Sequence, residues 1–399
     1  MKRFLLLIFV ISFTNLFATT YTSITNGDWL TYSTWSPAGI PQAGDDVIIN
    51  HTVTIANDWQ CTATITINQG GVLQEDQSGR TFLIQSGGNL INNGTFNYSK
   101  LIIYSGTFTN NGTSYIYNYI YSDFTVNNYG NIMQVDSFYT SGTYTNYANS
   151  TIESDSIYND GIFINGGTVT VTEMFNDSAY TNNGTFNFNR YYNNDYFVNN
   201  GTINSTFDAT NAGYWYNANN ATIDLNHNFT NGDTSNTYHT AVFVNNGNFN
   251  IGDSWHNADT TKGASTGSFI VQNGSYNTGV MIGSFDFCDQ TPITTTTPFI
   301  DYNTGTIDTN ITYCSVGIKN NKITDKIKIY PVPSPDFINI ESNIKLNNTL
   351  KVYNILGSVV TSLNINKQNN NLYKIDIRNL KSGIYFIKIN NQSKKIIRY

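Results

Sequence analysis

Charge is scarce in this chain. Only 12% of its 399 residues are Asp, Glu, Lys or Arg, about half of the ~25% usual for a globular protein. Basic residues are rarest across the long middle: residues 19–317 carry 23 acidic side chains against four basic ones, Arg80, Lys100, Arg190 and Lys262. Without a basic stripe to neutralise phosphates, nucleic acid is excluded as a partner. Cysteine numbers three and histidine four, with no CxxC or HExxH spacing among them. No metal motif is therefore present, and no cofactor is expected. Long Ala/Leu/Glu/Lys-rich stretches are missing, which argues against helices. Beyond residue 18, no apolar run approaches the ~20 residues that span a bilayer.

Aromatics are abundant, with 28 Tyr and 24 Phe. Disordered polar chains are poor in aromatics, so this chain is expected to fold. Its Asn, Thr, Gly, Tyr, Ile and Val make an all-β composition. Lys2 and Arg3 precede the run FLLLIFVISF and the small residue Ala18, the pattern of a secretory signal over residues 1–18. Charge changes sign near the other end: residues 318–399 hold four acidic and 14 basic residues. Such asymmetry predicts separate modules.

Between them one short unit recurs: apolar–Asn–Asn–Gly–Thr–apolar, as in LINNGTFN, FTNNGTSY, YTNNGTFN and FVNNGTIN. Its Gly place is read at Gly94, Gly112 and Gly130, and again at Gly161, Gly184, Gly201, Ala221, Gly247 and Gly274, with steps within each set drifting from 17 to 27 residues. A drifting period of that size marks a solenoid, in which each coil buries its apolar face only against its neighbours. Asn and Gly tolerate positive φ, so the expected role of Asn-Gly is a sharp turn, with Asn stacked on Asn along the axis. Thr is expected outward and the following apolar residue inward.

Trp35-Ser36-Pro37, Gly44-Asp45-Asp46-Val47-Ile48-Ile49 and Thr52-Val53 resemble the opening of G8-like and related β-solenoid modules of surface proteins. That implies an N-terminal cap and first coils over 19–60, with repeats over 61–279. The periodicity fades over 280–317, which reads as the C-terminal cap. Cys288 and Cys314 can pair there in an exported protein, leaving Cys61 as a buried free thiol. The expected architecture is a right-handed parallel β-helix followed by a small antiparallel β-sandwich.

That second module follows a polar linker, 318–325, and covers 326–399 with short, regularly spaced strands such as IKIYPV, FINIES and GIYFIKIN. Ile329-Tyr330-Pro331-Val332-Pro333, LKVYNILG with Tyr353, Asn354 and Gly357, LKSGIYFIK with Gly383 and Tyr385, and Lys394-Lys395-Ile396-Ile397 closely resemble the type A C-terminal sorting domain of the type IX (Por) secretion system of Bacteroidetes. Val332 stands where that family usually has Asn. The resemblance implies the type IX machinery as partner and a cargo carried through the periplasm. The cargo would be secreted or held at the outer surface, with lipopolysaccharide as a possible tether.

The cargo's own chemistry points to binding, as an adhesin-like or glycan- and matrix-binding scaffold. Tyr117, Tyr119, Tyr121, Tyr214, Trp215 and Tyr216 form the candidate ligand face, since Tyr and Trp on a flat β surface stack on sugar rings. Outward Thr also raises ice binding, but regular TxT ranks are missing. A polysaccharide lyase or glycosidase is the alternative. It would need paired carboxylates, for which Glu153 and Asp155 have permissive spacing, or a basic residue near acidic ones. The four basic residues of the region are far apart in sequence, so no catalytic residues are assigned and no enzyme is expected.

Overall fold

The computed structural model describes residues 18–232, 240–314, 327–342, 346, 349–355, 357–369, 371–389 and 392–399. The leader expected at 1–18, apart from Ala18, and the linker at 318–325 lie outside these residues. The chain divides into two units between Ser315 and Val316.

Alternation builds the first unit. In Thr64–Ile67 the threonines face out while Ile65 and Ile67 are buried, and the same in–out pattern recurs along the chain. The result is a parallel β-solenoid with three faces. The first face is a 16-stranded sheet, parallel except where Thr20–Ser23 pairs with Trp35–Ser36. The second and third faces share strands of nine or ten residues that bend at a corner: Thr95–Ile103, Thr113–Ser122, Asn131–Thr140, Thr151–Asn159, Thr168–Asn176 and Thr185–Asn193. In later coils each of these parts into two strands, the first such pair being Thr202–Ser205 and Ala209–Asn211. Inward residues stack in register: Phe186, Ile203, Ile223, Phe249, Phe269 and Phe287 form one such column.

The repeated unit works differently from the sequence expectation. Gly94, Gly112, Gly130, Gly184 and Gly201 are not in the positive-φ region. Glycine is needed because the chain below comes too close: a Cβ on Gly112 would lie 2.2 Å from the Gly94 carbonyl oxygen, and one on Gly184 would lie 2.1 Å from that of Gly167. The single glycine column read from sequence also mixes three corners. Thr168 N–H donates to Ser150 O, Thr185 to Gly167 O, Asn248 to Ala221 O and Ser268 to Gly247 O. The true column therefore runs through Ser150, Gly167 and Gly267. Gly161 belongs to the opposite corner, stacked on Gly142, and Gly274 belongs to the third, where its carbonyl accepts from Trp255 N–H.

The first Asn of the unit lies inside. Asn92, Asn110, Asn128, Asn146, Asn165, Asn182, Asn199 and Asn217 are all fully buried. Each Nδ2 donates to the Oδ1 of the next rung at 2.7–2.8 Å. A second ladder of the same kind runs from Asn159 through Asn176, Asn193, Asn211, Asn231, Asn257 and Asn277 to Asn303. The two ladders flank the first face at both of its corners. Buried amides are tolerated there because every rung is paired. The second Asn of the unit makes an outer set of rungs, as in Asn111–Asn93 and Asn200–Asn183.

At the N-terminal end Trp29 and Trp35 are buried with rings 5.0 Å apart, and the Trp59 ring lies tilted against Trp29 at 4.4 Å. At the other end the coils continue where a cap was expected. Val280–Gly283 pairs with Thr260–Gly263, and Thr306–Ile307 and Thr312–Tyr313 extend the first and second faces. An insertion at 290–301 hides this period in the sequence. Cys288 and Cys314 are successive rungs here and form a disulfide. Closing a loop of 26 residues stabilises by about 3.5 kcal/mol in the chain-entropy treatment. Cys61 is buried and free, and burial pushes its pKa up to about 12. The unreduced native protein should therefore show no thiol reactive to Ellman's reagent. One thiol should appear on unfolding and three after reduction; a reactive thiol in the native state would contradict this arrangement.

Asp289, beside the disulfide, is buried and accepts from Ser275 Oγ and Thr291 N–H. Burial raises its pKa above the ordinary 3.8. The folded state thus holds this proton more tightly than the unfolded chain. Its stabilising contribution is complete below pH 3.8 and is lost as pH rises through the raised value. Asp289→Asn should flatten the melting temperature across the acid range, and an unchanged profile would refute the assignment.

The second unit has seven strands among the described residues. In spatial order they are Ile327–Tyr330, Phe337–Ser342, Leu372–Asp376, Val359–Lys367, Thr349–Tyr353, Gly383–Ile389 and Gln392–Arg398, with antiparallel neighbours. Val359–Lys367 pairs on both sides, so the two layers are one folded sheet. A bridge between Ser334 and Arg398 brings the first and last strands close. Ile338, Ile340, Val352, Ile375, Ile387 and Ile396 fill its core.

Candidate functional site

Along the third face, outward side chains fall into one row. Register places Ile102, Tyr121, Tyr139, Tyr158, Phe175 and Tyr192 on successive coils. The row continues through Thr210, Thr230, His256, Tyr276 and Tyr302. From Tyr139 to Tyr192 the rings are nearly parallel, with centroids 4.7, 5.1 and 4.9 Å apart. That is the spacing of the β ladder itself. The stack therefore follows from putting an aromatic at one offset in each coil. The row carries no charge from Tyr121 to Tyr302, although the region around it is acidic.

The stack opens into a concave feature at each end. At one end Tyr104, Tyr119, Tyr121, Tyr139 and Ile102 line a cleft of about 460 Å³. Tyr104 meets Tyr121 edge-on at 5.8 Å, and the Lys100 ammonium lies 5.9 Å from the Tyr119 ring centroid. Asp123 beside the Tyr121 hydroxyl raises its pKa, keeping a proton available for donation. At the other end the aromatic rungs are replaced by Thr210 and Thr230. A notch of about 670 Å³ opens there, with Asp208, Asn228, His256 and Tyr276 around it. His256 stacks on Tyr276 at 4.6 Å, and burial lowers its pKa below 6.5, so the imidazole is neutral at neutral pH.

The six residues of the sequence-based ligand face do not lie together. Tyr119 and Tyr121 line the cleft. Tyr117 turns instead into a furrow at the bend between the second and third faces. Tyr214 and Tyr216 lie on the first face, where Tyr214 stacks on Tyr196 at 5.2 Å. Trp215 is a correction: it is fully buried, wedged between Phe197 and Phe243. In Tyr214–Asn217 the inward phase is fixed by Asn217, a rung of the buried ladder, and Trp215 shares that phase.

The furrow also collects the charged residues. Asp136, Glu153 and Asp155 line about 600 Å³ of it. It continues past the shared residues Thr172 and Asn189 to Glu173, Arg190 and Phe207. Arg190 pairs with Glu173 at 3.0 Å and lies over the Phe207 ring at 4.9 Å. Further along, Phe207 stacks on His227, whose Nδ1 lies 2.5 Å from Asp208 Oδ1. Stacking thus brings together residues far apart in sequence. Among the described residues no group of His, Cys, Asp and Glu could hold a metal. One Gly-x-Ser-x-Gly match, Gly263 to Gly267, is a corner turn between two strands. A nucleophile elbow needs a strand-to-helix turn instead.

In the second unit the resemblance residues hold turns and strands. Pro331 and Pro333 follow cis bonds after Tyr330 and Val332. Asn354 and Gly357 shape a tight turn: Asn354 Oδ1 accepts from Ser358 N–H at 3.0 Å, and Gly357 has φ +78°. Here glycine does serve a left-handed backbone. Tyr385 Oη donates to Lys381 O, Gly383 opens that strand, and Tyr353, Phe386 and Lys395 lie in register across three strands, beside Lys394 opposite Ile387. Val332, Ile355, Val359, Val360 and Ile384 are exposed, giving the unit an apolar surface among its many lysines.

Residues 328–399 match the family model of the secretion system C-terminal sorting domain. Beta-agarase D of Zobellia galactanivorans is 32% identical over 75 residues, 19% of this chain and 14% of that protein. So short a match cannot span the solenoid. No solved structure matches the chain significantly. The chain is therefore a parallel β-solenoid joined to a type IX secretion C-terminal sorting domain, which marks it for export.

Proposed function

We propose that the exported solenoid is a non-catalytic, adhesin-like scaffold that binds extracellular polysaccharide through the aromatic row of its third face. One observation carries this reading: an uncharged row of aromatic rings on successive coils, ending in the tyrosine cleft. Aromatic faces stack on sugar rings while phenol hydroxyls bond sugar hydroxyls. The name of the agarase relative puts agarose first among the polymers to try. The leader, periplasmic passage and attachment to surface lipopolysaccharide belong to the same proposal.

Affinity electrophoresis of the mature chain through gels holding agarose, laminarin, xylan, alginate or hydroxyethylcellulose tests it. Retardation by a neutral polymer is expected. Tyr139→Ala should weaken it at least tenfold, the effect of ~1.4 kcal/mol lost per ring. Tyr214→Ala, on the first face, should leave it unchanged. No retardation in any gel would overturn the reading.

The furrow supports a second reading, a carbohydrate-active enzyme, because Glu153 and Asp155 share it with Arg190. We favour binding since Arg190 is already engaged by Glu173 and Phe207. Release of reducing ends from any of the five polymers, abolished by Glu153→Gln, would reverse that preference.

A further inference from the structure

The aromatic row has a gap. Each ladder step of the third face carries a ring from Tyr121 to Tyr192, then Thr210 and Thr230 interrupt, and rings return at His256, Tyr276 and Tyr302. One face of His256 is covered by Tyr276. Its other face looks toward Thr230, whose small side chain fills no ring's place. The notch so formed offers a neutral aromatic platform, hydroxyls on the floor, and the carboxylate of Asp208 and amide of Asn228 at the side. Ring platform and hydrogen-bonding groups together are what a saccharide unit requires. Tyr139, in the cleft, and His256, in the notch, are six ladder steps apart, roughly 29 Å at ~4.8 Å per step. Between them Tyr158, Phe175 and Tyr192 make an uncharged strip. The acidic surroundings disfavour anionic polymers.

We propose that the notch at Thr210, Thr230 and His256 is a second saccharide site, and that cleft and notch hold one neutral polysaccharide chain laid along the solenoid axis. This rests on the polysaccharide-binding reading and adds to it a second site and a direction. A chain that reaches both sites gains by effective concentration, on the order of a hundredfold or more over a fragment that reaches one. Fragments shorter than the span bind the two sites independently.

The test uses the mature chain, the neutral polymer that retards it, and size-fractionated hydrolysates of that polymer in titration calorimetry. Short fragments should bind wild type at two sites per chain, and His256→Ala or Tyr139→Ala at one. On the long polymer either variant should weaken binding about a hundredfold. Thr230→Trp, which fills the notch and leaves His256 in place, should match His256→Ala and guards against a folding effect. One site per wild-type chain for short fragments, or polymer binding indifferent to both notch variants, would overturn the two-site track. It would leave the tyrosine cleft as the sole site and the polysaccharide reading intact. Failure of every polymer to bind wild type would instead remove the reading beneath it.

Discussion

Without residues 326–399 the solenoid is expected to stay inside the cell. The sorting unit has its own apolar core, with Ile338, Val352, Ile375 and Ile387 fully buried. Among the described residues the last rungs of the solenoid are Thr312–Tyr313, and the Cys288–Cys314 disulfide ties them to the coil before. The deletion therefore removes a surface the machinery reads, not a part of the cargo's core. In a host that carries type IX machinery, the full chain should be found in the medium or on the surface. The truncated chain should be recovered folded from the cell fraction, with an unchanged thermal transition for the solenoid. The converse belongs to the same expectation: 318–399 appended to an unrelated passenger that carries a leader should send it out. Secretion of the truncated chain at the full-length level would refute the sorting role. The exposed Ile355, Val359 and Val360 are the first places to look for the contact, since the lysines around them are long and well solvated.

Much of this was legible, and the rest failed for identifiable reasons. Thr–apolar alternation fixes strands and their phase, because a one-residue slip would turn every Phe and Ile outward. The sorting unit was legible because its turn and strand residues recur as fixed words, such as the Asn354–Gly357 turn. Corners were harder. Asn165-Gly166-Gly167-Thr168 and Asn159-Asp160-Gly161-Ile162 follow one grammar at opposite corners of the solenoid, so spacing alone assigned Gly161 to the wrong column. The aromatic row was missed although its offsets are regular: Tyr121, Tyr139, Tyr158, Phe175 and Tyr192 step by the coil length, as the glycines do. Aromatic-rich runs are a weaker guide to the surface, because alternation turns every second residue inward, as it does Trp215 between Tyr214 and Tyr216. Of the furrow only the Glu153–Asp155 pair was legible, from its spacing along one strand; Glu173 and Arg190 become neighbours only when coils stack.

Asn182→Asp is expected to be among the most damaging single substitutions in the solenoid. Asn182 is fully buried; it accepts from Asn165 Nδ2 at 2.7 Å and donates to Asn199 Oδ1 at 2.8 Å and Thr202 O at 3.2 Å. An aspartate keeps the first bond and loses every bond that Nδ2 donates, including a longer one to Gly184 O. It also sets a carboxylate oxygen against the Asn199 oxygen and leaves a charge without a cation. An uncompensated buried charge costs about 3–5 kcal/mol. Local failure should spread to adjoining coils, because each coil is stable only against its neighbours. Asn183→Asp, one residue along, replaces an outer rung that accepts from Asn200 Nδ2 in solvent, and should stay within about 0.5 kcal/mol of wild type. The pH dependence separates charge from shape. A buried aspartate has its pKa raised in the folded state, so protonation restores stability as pH falls through that value. The protonated acid can also donate to Asn199 Oδ1 again. Denaturant melts of Asn182→Asp should therefore approach those of wild type in acid and diverge from them toward neutrality, whereas Asn182→Leu, with no titrating group, should stay destabilised by about 2–6 kcal/mol throughout, from the two rungs it leaves unpaired. Equal, pH-independent losses for the two variants would mean that the amide ladder matters only as filled space.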